Sequence, residues 1–358
     1  MLNTKFSMIW RYLLFPIALG YGLTMWFRRQ IIYRHLRKPY TATIPVISVG
    51  NLCMGGAGKT PMVEYLIRLL APQYSIATLS RGYKRKTKGA LIANDCPQVD
   101  AAMIGDEPFQ YYHKYKNILV AVAEKRAEGM QLLLKNHPQC QVMLLDDAFQ
   151  HLKVNRSVNI LLTEYENPWV DDFVLPVGNL REFRTTAKAA DIVVVTKSPA
   201  LLSQEEADNF VKKLKITDNQ SVFFTTIQYQ PLTPFTACAK EYSITPNAPV
   251  VLLAGIAHPS QVIHYLETQF TEVIPLIFDD HHHYSPQNLR RIEKIISQHT
   301  DSVVVTTEKD AMRLMLPEIE SLLSRLPIFT LPIEIAFLFN ETEHFNQLIY
   351  DIIRKNSR

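Results

Sequence analysis

Apolar residues in this 358-residue chain fall into short runs separated by longer stretches of mixed character. The runs are rich in valine, isoleucine and leucine, which favours buried β-strands. The first six are Val46–Val49, Tyr74–Leu79, Ile118–Val122, Val142–Leu145, Val158–Leu162 and Ile192–Thr196. Helices are predicted between several of them, at Pro61–Leu70, Glu107–Lys114 and Glu124–Leu134. This alternation predicts an α/β fold with a mostly parallel sheet and helices on both faces.

A second block of alternating elements follows. Residues 221–233 alternate between apolar and polar side chains and predict an extended segment between two lobes. Later apolar runs, at 251–256, 273–278, 302–307 and 326–335, predict a smaller C-terminal α/β lobe. We therefore expect four parts: an N-terminal segment (1–40), a core (41–220), an extended linker (221–250) and the smaller lobe (251–358).

The N-terminal segment contains an apolar run that a basic cluster follows. The uncharged stretch Leu13–Phe27 is 15 residues long, short of the roughly 20 that span a bilayer as a helix. An interfacial or partly inserted helix and a plain core helix both fit this pattern. The cluster at 28–38 suits anionic lipid and favours a membrane-associated helix. A cleaved signal peptide is not expected, because no small-residue cleavage site is found.

Charge is distributed unevenly along the chain. Residues 1–40 contain seven basic and no acidic side chains, whereas the remainder contains 31 basic and 34 acidic ones. Because residues 41–358 are mildly acidic, a nucleic-acid partner is not expected. The basic residues of the segment 1–40 would keep the rest of the protein on the cytoplasmic face of a membrane. The four cysteines are far apart and form no C-x-x-C pair, as in reduced cytosolic proteins.

Residues 44–60, IPVISVGNLCMGGAGKT, join an apolar strand to a glycine-rich turn. Backbone N–H groups of such a loop, with the following helix N-terminus, bind nucleotide phosphates, while Lys59 would reach the β and γ oxygens and Thr60 would hold Mg²⁺. The first glycine of the common G-x-x-x-x-G-K-[ST] pattern is replaced by Cys53, and a glycine turn before a chance Lys-Thr pair is the alternative. We expect a P-loop NTPase-like core that binds phosphate through Gly55, Gly56, Ala57, Gly58, Lys59 and Thr60.

The residues also favour one nucleotide over another. A GTP-binding protein of this class has N-K-x-D late in the sheet. Residues 196–199, TKSP, contain the lysine but lack the aspartate. ATP is therefore the expected nucleotide.

Carboxylates occur at two predicted element ends. Asp146 and Asp147 follow an apolar strand, where an acid beside a phosphate loop commonly supports Mg²⁺; a plain surface strand end is the alternative. Asp106 lies at a loop-to-helix junction. It fits either a helix N-cap or the group that accepts a hydroxyl proton during phosphoryl transfer to an alcohol.

Three further clusters remain open in role. Residues 278–284, FDDHHHY, could form a metal site, an Asp–His pair or an exposed histidine run. Residues 80–86 contain four basic side chains, and Arg81 could clamp an anionic substrate group or lie in a solvated loop. Arg181 and Glu182 form another charged pair of undefined role.

Along nearly its full length the chain resembles the tetraacyldisaccharide 4′-kinases of lipid A synthesis. The matching blocks are VGNLCMGGAGKTP (49–61), LSRGYKR (79–85), GDEP (105–108), LLDDAFQH (144–151), LPVGNLRE (175–182), VVTKSP (194–199), AGIAHP (254–259), FDDHHHY (278–284) and VTTEKDAMR (305–313). The resemblance implies a peripheral inner-membrane enzyme. It would transfer the γ-phosphate of ATP to the 4′-hydroxyl of an acylated glucosamine disaccharide 1-phosphate.

The family pattern also assigns roles to residues of this chain. It implies that Lys59 and Thr60 bind ATP–Mg²⁺, and that Asp146 and Asp147 support the metal. It further implies that Asp106 activates the sugar hydroxyl with the help of His281 and Asp280, with His282 as the second choice of histidine, and that Glu182 joins the nucleotide or metal shell. Contact of Arg81 with the substrate's 1-phosphate is a hypothesis from charge alone.

Two functions of other classes stay open. One is a partner-switching ATPase with a deviant phosphate loop, although such proteins often have a lysine where this chain has Met54. The other is a metal-binding or metal-insertion protein built around His281–His283. For the kinase, the expected partners are the lipid substrate and the membrane surface, and no obligate protein partner is evident.

Overall fold

The computed structural model describes residues 2–34, 38–299 and 301–356, and within the first helix it describes the side chains of residues 13–31 only. The β-strands of these residues are β1 (Val46–Asn51), β2 (Ile76–Ser80), β3 (Leu91–Ile92), β4 (Leu119–Val122), β5 (Val142–Asp146), β6 (Val158–Glu164), β7 (Ile192–Thr196), β8 (Ser221–Tyr229), β9 (Thr233–Pro234), β10 (Val250–Ala254), β11 (Val273–Ile277), β12 (Val303–Thr307), β13 (Ile328–Leu331) and β14 (Ile333–Phe337). The α-helices are α1 (Leu2–Arg34), α2 (Lys59–Leu70), α3 (Ala101–Ile104), α4 (Asp106–Lys114), α5 (Arg126–Asn136), α6 (Gln204–Leu214), α7 (Ser260–Gln269), α8 (Pro286–Ile296), α9 (Glu308–Leu314), α10 (Glu320–Leu323) and α11 (Thr342–Asn356).

The larger sheet of the described chain has nine strands in the order β14-β8-β7-β6-β1-β5-β2-β4-β3. Its strands pair in parallel except at the edges, where β3 and β14 are antiparallel to their neighbours. At the centre, Ile47 of β1 lies opposite Leu144 of β5 and Val158 of β6. Because β1, β5 and β7 are buried along their whole lengths, their near-continuous apolar sequences are explained, and the predicted α/β sheet is confirmed.

Helices cover both faces of this sheet. On one face, Met62 of α2 and Phe345 of α11 share a buried cluster with Ile47. On the other face, Met130 of α5 and Phe210 of α6 belong to two further buried clusters. We call this sheet and its helices the larger lobe.

The smaller sheet has five strands in the order β11-β10-β12-β13-β9, and only β9 pairs antiparallel among those described. Leu266 of α7 packs on one side of it and Leu289 of α8 on the other. We call this sheet, with α7 to α10, the smaller lobe. The existence of such a lobe agrees with the apolar runs after residue 250.

The lobe boundaries differ from those predicted. The expected linker at 221–250 begins with β8, which pairs with β7 and β14 in the larger sheet. The C-terminal elements β14 and α11 also belong to the larger lobe, although they were predicted in the smaller one. The period-two pattern of 221–233 correctly indicates an extended chain, but a strand period does not say which sheet the strand joins.

The first helix, α1, lies against the larger lobe. The Tyr21 hydroxyl donates a 3.3 Å hydrogen bond to the Arg181 carbonyl, and Arg29 forms a buried 2.8 Å ion pair with Glu182. Large apolar side chains elsewhere on α1 are exposed, namely Leu13, Phe15, Ile17, Leu19, Leu23, Trp26, Phe27 and Ile31. Among the described residues no helix is long and apolar enough to cross a membrane. In the predicted basic cluster, the side chains of Arg34 and Arg37 lie outside the described residues.

Candidate active site

The glycine-rich loop joins the carboxyl end of β1, the central strand, to the first turn of α2. Gly55 and Gly58 have φ angles of +109° and +77°, which other residues rarely adopt, so the turn requires glycine at both positions. The Thr196 hydroxyl, at the end of β7, donates a 3.1 Å hydrogen bond to the Ala57 carbonyl and holds the loop against the sheet. The backbone N–H groups of the loop and of the N-terminus of α2 together form a site that can bind an anion such as phosphate.

Lys59 is the first residue of α2 and lies beside the ends of β1 and β5. Its Nζ is 3.2 Å from Asn51 Oδ1 and 3.7 Å from Asp147 Oδ1. The ammonium group is half-buried, so its charge is only partly screened by water. Together with Thr60, the next residue, it lies where the motif predicts the phosphate-binding pair.

Asp146 ends β5 and is almost fully buried. Its Oδ2 accepts hydrogen bonds from the hydroxyls of Ser80 and Tyr111, at 3.4 and 3.3 Å, whereas its buried Oδ1 has no partner among the described residues. Burial, and then the charges of Asp147 and Glu107, raise the pKa of Asp146 to about 6. A buried carboxylate with an unused oxygen is a site that a cation would stabilise.

The surroundings of Asp146 fit a magnesium ion. The Tyr111 hydroxyl that donates to Asp146 Oδ2 also lies close to the Thr60 side chain, so carboxylate and hydroxyl oxygens converge beside the phosphate loop. Mg²⁺ prefers oxygen ligands and usually takes one or two from the protein, with waters and substrate phosphates completing its shell. Such a site needs no larger cluster of acids.

Asp147 differs from its neighbour in both geometry and charge. Its backbone is in the left-handed region, with φ +47°, and its two oxygens accept hydrogen bonds of 2.9 and 3.0 Å from Arg181. Burial raises the pKa of Asp147, but Lys59 and Arg181 outweigh it and the pKa lies below its ordinary value. Asp146 is therefore the better candidate for a direct metal ligand, since the oxygens of Asp147 already bind a cation.

Asp106 is the first residue of α4 and does not cap the helix. The N-cap residue is Gly105, and the Asp106 side chain is directed instead to the smaller lobe. His281 Nδ1 lies 3.1 Å from Asp106 Oδ2, and Arg313 Nε donates to the same oxygen at 2.8 Å. Burial raises the pKa of Asp106, but the bonds from His281 and Arg313 outweigh it and hold the pKa at about 2.

The structure thus joins Asp106 and His281, although 174 residues separate them in the chain. Asp280, the predicted helper, is exposed, and its Oδ2 is 3.9 Å from His281 Nε2. That distance allows electrostatic attraction but no hydrogen bond. Arg313 was assigned no role from the sequence, although it ends the block VTTEKDAMR. Thr307 is a residue type that N-caps helices and so places Arg313 in the last turn of a short helix, but the sequence does not show that this arginine is buried.

The remaining histidines of the run do not form a metal site. His282 is 3.2 Å from Asn288 Oδ1 and stacks on Phe278, while His283 is exposed. Within the residues that the structure describes, no group of three or more His, Cys, Asp or Glu side chains is placed to hold a metal ion. The metal-protein hypothesis therefore gains no support.

Glu182 lies elsewhere than the resemblance implies. It forms the buried ion pair with Arg29 of α1, whereas the adjacent Arg181 binds Asp147. Burial, only partly offset by Arg29, raises the pKa of Glu182. The two adjacent side chains therefore have different surroundings: Arg181 lies beside Asp147, which is near Lys59, whereas Glu182 lies beside α1.

Arg81 lies in an exposed loop after β2, in the vicinity of Asp106. In this loop the Tyr83 ring centre is 5.7 Å from that of His281, and the Lys84 ammonium is 5.6 Å from the centre of the Tyr83 ring. Arg81 itself is exposed and, within the described chain, makes no ion pair. Its charge is therefore available to a ligand.

A cavity of about 300 Å³ lies between the two lobes, and one of its lining residues, Lys197, is close to the phosphate loop. Its larger-lobe wall contains Glu164 and Lys197, joined by a 2.5 Å ion pair, and a Cβ placed on Gly56 would be 3.9 Å from the Lys197 ammonium. The α7 region of the smaller lobe supplies the opposite wall with His258, Ser260, Gln261 and His264. The cavity is therefore lined by polar side chains of both lobes.

A strand, a glycine loop and a helix, with an acid at the tip of the adjacent strand, define a phosphate-loop nucleotide-binding protein. The family model described as tetraacyldisaccharide-1-P 4′-kinase matches residues 10–354. The chain therefore belongs to the tetraacyldisaccharide 4′-kinase family, and it is a kinase, as the sequence resemblance predicts.

Individual relatives agree with this assignment. A tetraacyldisaccharide 4′-kinase of Flavobacterium johnsoniae is 42% identical over 350 residues, which cover 97% of this chain and 98% of the relative. One of Phocaeicola vulgatus is 38% identical and covers 96% of both chains. The crystal structure of LpxK from Aquifex aeolicus in complex with ATP superimposes with a TM-score of 0.72 at 28% identity, covering 96% of this chain and 99% of that one.

Proposed function

We propose that the protein transfers the γ-phosphate of ATP to the 4′-hydroxyl of a tetraacyl glucosamine disaccharide 1-phosphate in lipid A biosynthesis. The observation that carries this proposal is the arrangement of α4. The helix begins with Asp106, bound by His281, and Tyr111 on the same helix binds Asp146 beside the phosphate loop. Five residues correspond to about 7.5 Å along a helix axis, so an acceptor hydroxyl at Asp106 would lie close to the phosphates.

The residues of the site have different roles in phosphate transfer. Loop N–H groups and Lys59 stabilise the negative charge on the phosphoryl oxygens, and Asp146 and Thr60 would hold Mg²⁺, which supplies further positive charge there. The contacts from His281 and Arg313 both end on Asp106 Oδ2, so Oδ1 is left to accept the substrate hydroxyl. With a pKa of about 2, Asp106 mainly orients this hydroxyl and takes its proton late, as the oxygen bonds to phosphorus.

The 300 Å³ cavity is the proposed site for the ribose and base of ATP. Lys197 in its wall is close to Gly56 of the loop, so a nucleotide with its phosphates on the loop would extend into the cavity. Carboxylate, ammonium and imidazole groups supply hydrogen-bond partners for hydroxyls and ring nitrogens. Lys197→Ala is expected to raise the KM for ATP and leave the KM for lipid unchanged; the reverse result would remove the nucleotide from this cavity.

Arg81 is proposed to bind the 1-phosphate of the lipid substrate. Its exposed charge lies in the same loop as Tyr83, whose ring is near His281. Arg81→Ala should raise the KM for the lipid, because arginine binds phosphate with two charge-assisted hydrogen bonds. An unchanged lipid KM would count against this contact.

The membrane surface is the proposed location, with the body on the cytoplasmic face of the bacterial inner membrane. The exposed apolar side chains of α1 and the basic residues that follow them support this proposal. Vesicles containing anionic lipid should bind the wild type more tightly than a Leu19→Ser/Leu23→Ser variant. Equal binding would contradict a membrane contact through α1.

The function is tested by ³²P transfer from γ-labelled ATP to detergent-dispersed tetraacyl disaccharide 1-phosphate. Labelled lipid is expected from the wild type and from Lys212→Ala, an exposed lysine in the last turn of α6. Lys59→Ala should lose roughly 100-fold or more in rate, because it removes charge stabilisation of the transferred group.

The other outcomes separate the alternatives. ATP hydrolysis that depends on Lys59, without labelled lipid, would reject the lipid substrate and favour the partner-switching ATPase. Equal label with Lys59→Ala would reject the phosphate loop as the catalytic site.

A further inference from the structure

Arg313 is buried where α9 of the smaller lobe meets α4 of the larger lobe. Its Nη1 donates to the Gly255 carbonyl at 2.7 Å and to Asp310 at 2.9 Å. Asp310 is fully buried and also accepts hydrogen bonds from the Gly255 N–H and the Thr307 hydroxyl, at 3.0 and 2.8 Å. One side of the guanidinium is therefore fixed within the smaller lobe.

The other side of the guanidinium faces Asp106 and His281, the pair that is proposed to act on the substrate hydroxyl. Its Nε binds Asp106 Oδ2, and its Nη2 is 2.9 Å from His281 Nδ1. The same ring nitrogen lies 3.1 Å from Asp106 Oδ2. A ring nitrogen has either a proton or a lone pair, so it donates to Asp106 or accepts from Arg313, but not both. In either case Arg313 touches both members of the pair.

We propose that Arg313 is a positioning residue for phosphoryl transfer, which occupies Oδ2 of Asp106 from the smaller lobe and thereby directs Oδ1 to the acceptor hydroxyl. The inference rests on the proposed role of Asp106. It requires the planar arginine fork, because a lysine ammonium is a point charge and does not span Asp106, Gly255 and Asp310 in one fixed geometry.

The test is a double-mutant cycle on the rate of phosphate transfer. Arg313→Lys keeps a positive charge beside buried Asp310 and so is expected to keep the fold. Arg290→Lys, the same change at an exposed arginine of the same lobe, is the matched control. Arg313→Lys should lower kcat by about 10-fold or more with the KM for ATP within about twofold. In the Asp106→Asn background the same change should cost less than about threefold, because residues that act as a unit are not additive.

The pH dependence of kcat is a second measurement that distinguishes a positioning role of Arg313 from a purely structural one. Arg313→Met removes a cation that helps to hold the pKa of Asp106 at about 2, so the acidic limb of its pH–kcat profile should move to higher pH. Arg313→Lys should keep the limb where the wild type has it. A purely structural contact would change the rate without moving the limb.

The outcomes distinguish this inference from the proposed function. Full activity of Arg313→Lys, or the same fold-loss in both backgrounds, would overturn the positioning role alone. Full activity of Asp106→Asn by itself would overturn the acceptor role and the Arg313 proposal with it.

Discussion

Two carboxylates of the site, Asp106 and Asp146, have pKa values that are shifted in opposite directions. Asp106 has His281 and Arg313 in contact with one oxygen and a pKa of about 2, so it stays ionised at neutral pH. Asp146 has an unpartnered buried oxygen and a pKa of about 6, because burial and nearby acids disfavour its charge. The lowered pKa of Asp106 suits a hydrogen-bond acceptor that orients a hydroxyl, and the raised pKa of Asp146 suits a carboxylate whose charge a bound cation would neutralise.

Asp146→Asn should stabilise the metal-free protein at neutral pH. A carboxyl whose folded pKa is raised contributes fully below its unfolded pKa of about 3.9, and this contribution is lost as pH rises through about 6. The free energy of unfolding of the variant should therefore exceed that of the wild type by about 2 kcal/mol at pH 7.5 and by less at pH 5. Urea unfolding in EDTA at the two pH values measures this difference.

The adjacent acid provides the control. The lowered pKa of Asp147 reverses the sign, so Asp147→Asn should destabilise the protein at pH 7.5. A stabilisation by Asp146→Asn that is equal at pH 5 and 7.5 would contradict the electrostatic cause.

The residue types and their order indicated most of this site, but not its contacts. The glycine loop with Lys59 is recognisable because its chemistry is local, within one strand-loop-helix unit. The bond between Asp106 and Arg313 spans 207 positions and depends on how the lobes meet. A single buried arginine in a short helix has no local period that predicts its partner.

At the scale of elements, the strands of the core follow directly from their apolar sequences, whereas two placements do not. The strand β14 joins β8 in the larger sheet, and nothing in its own residues distinguishes it from the strands of the smaller lobe. The helix α1 is docked through Glu182, which was expected at the nucleotide. Both cases depend on long-range packing, which overrides local pattern.

Glu182→Gln should loosen α1 without weakening ATP binding. The change removes the negative member of a buried ion pair with Arg29, a loss that typically costs about 3 kcal/mol. Hydrogen exchange of residues 21–31 should become faster, and the KM for ATP should stay within about twofold of the wild type.

The control for this change is Glu205→Gln, an exposed glutamate of α6. A tenfold rise in the ATP KM for Glu182→Gln, with unchanged exchange in α1, would return Glu182 to the nucleotide shell that the family resemblance implies.

At the scale of the whole molecule, ion pairs join the two lobes along α4. Lys114 binds Glu64 of the larger lobe and Glu308 of the smaller lobe, each at 2.7 Å, while Asp106 at the other end of α4 binds Arg313. The phosphate loop therefore belongs to one lobe, and the groups that orient Asp106 belong to the other. The proposed reaction depends on both lobes being in place.

The most direct test of this account compares ATP binding with phosphate transfer in Asp106→Asn. The account predicts that the variant binds Mg²⁺–ATP with an affinity within about threefold of the wild type. Its rate of γ-phosphate transfer to the lipid should be at least about 100-fold lower, because only the orientation and deprotonation of the hydroxyl are lost. Transfer at the wild-type rate would contradict the assignment of Asp106 as the acceptor group. A loss of ATP affinity in proportion to the loss of rate would instead place Asp106 in the nucleotide site.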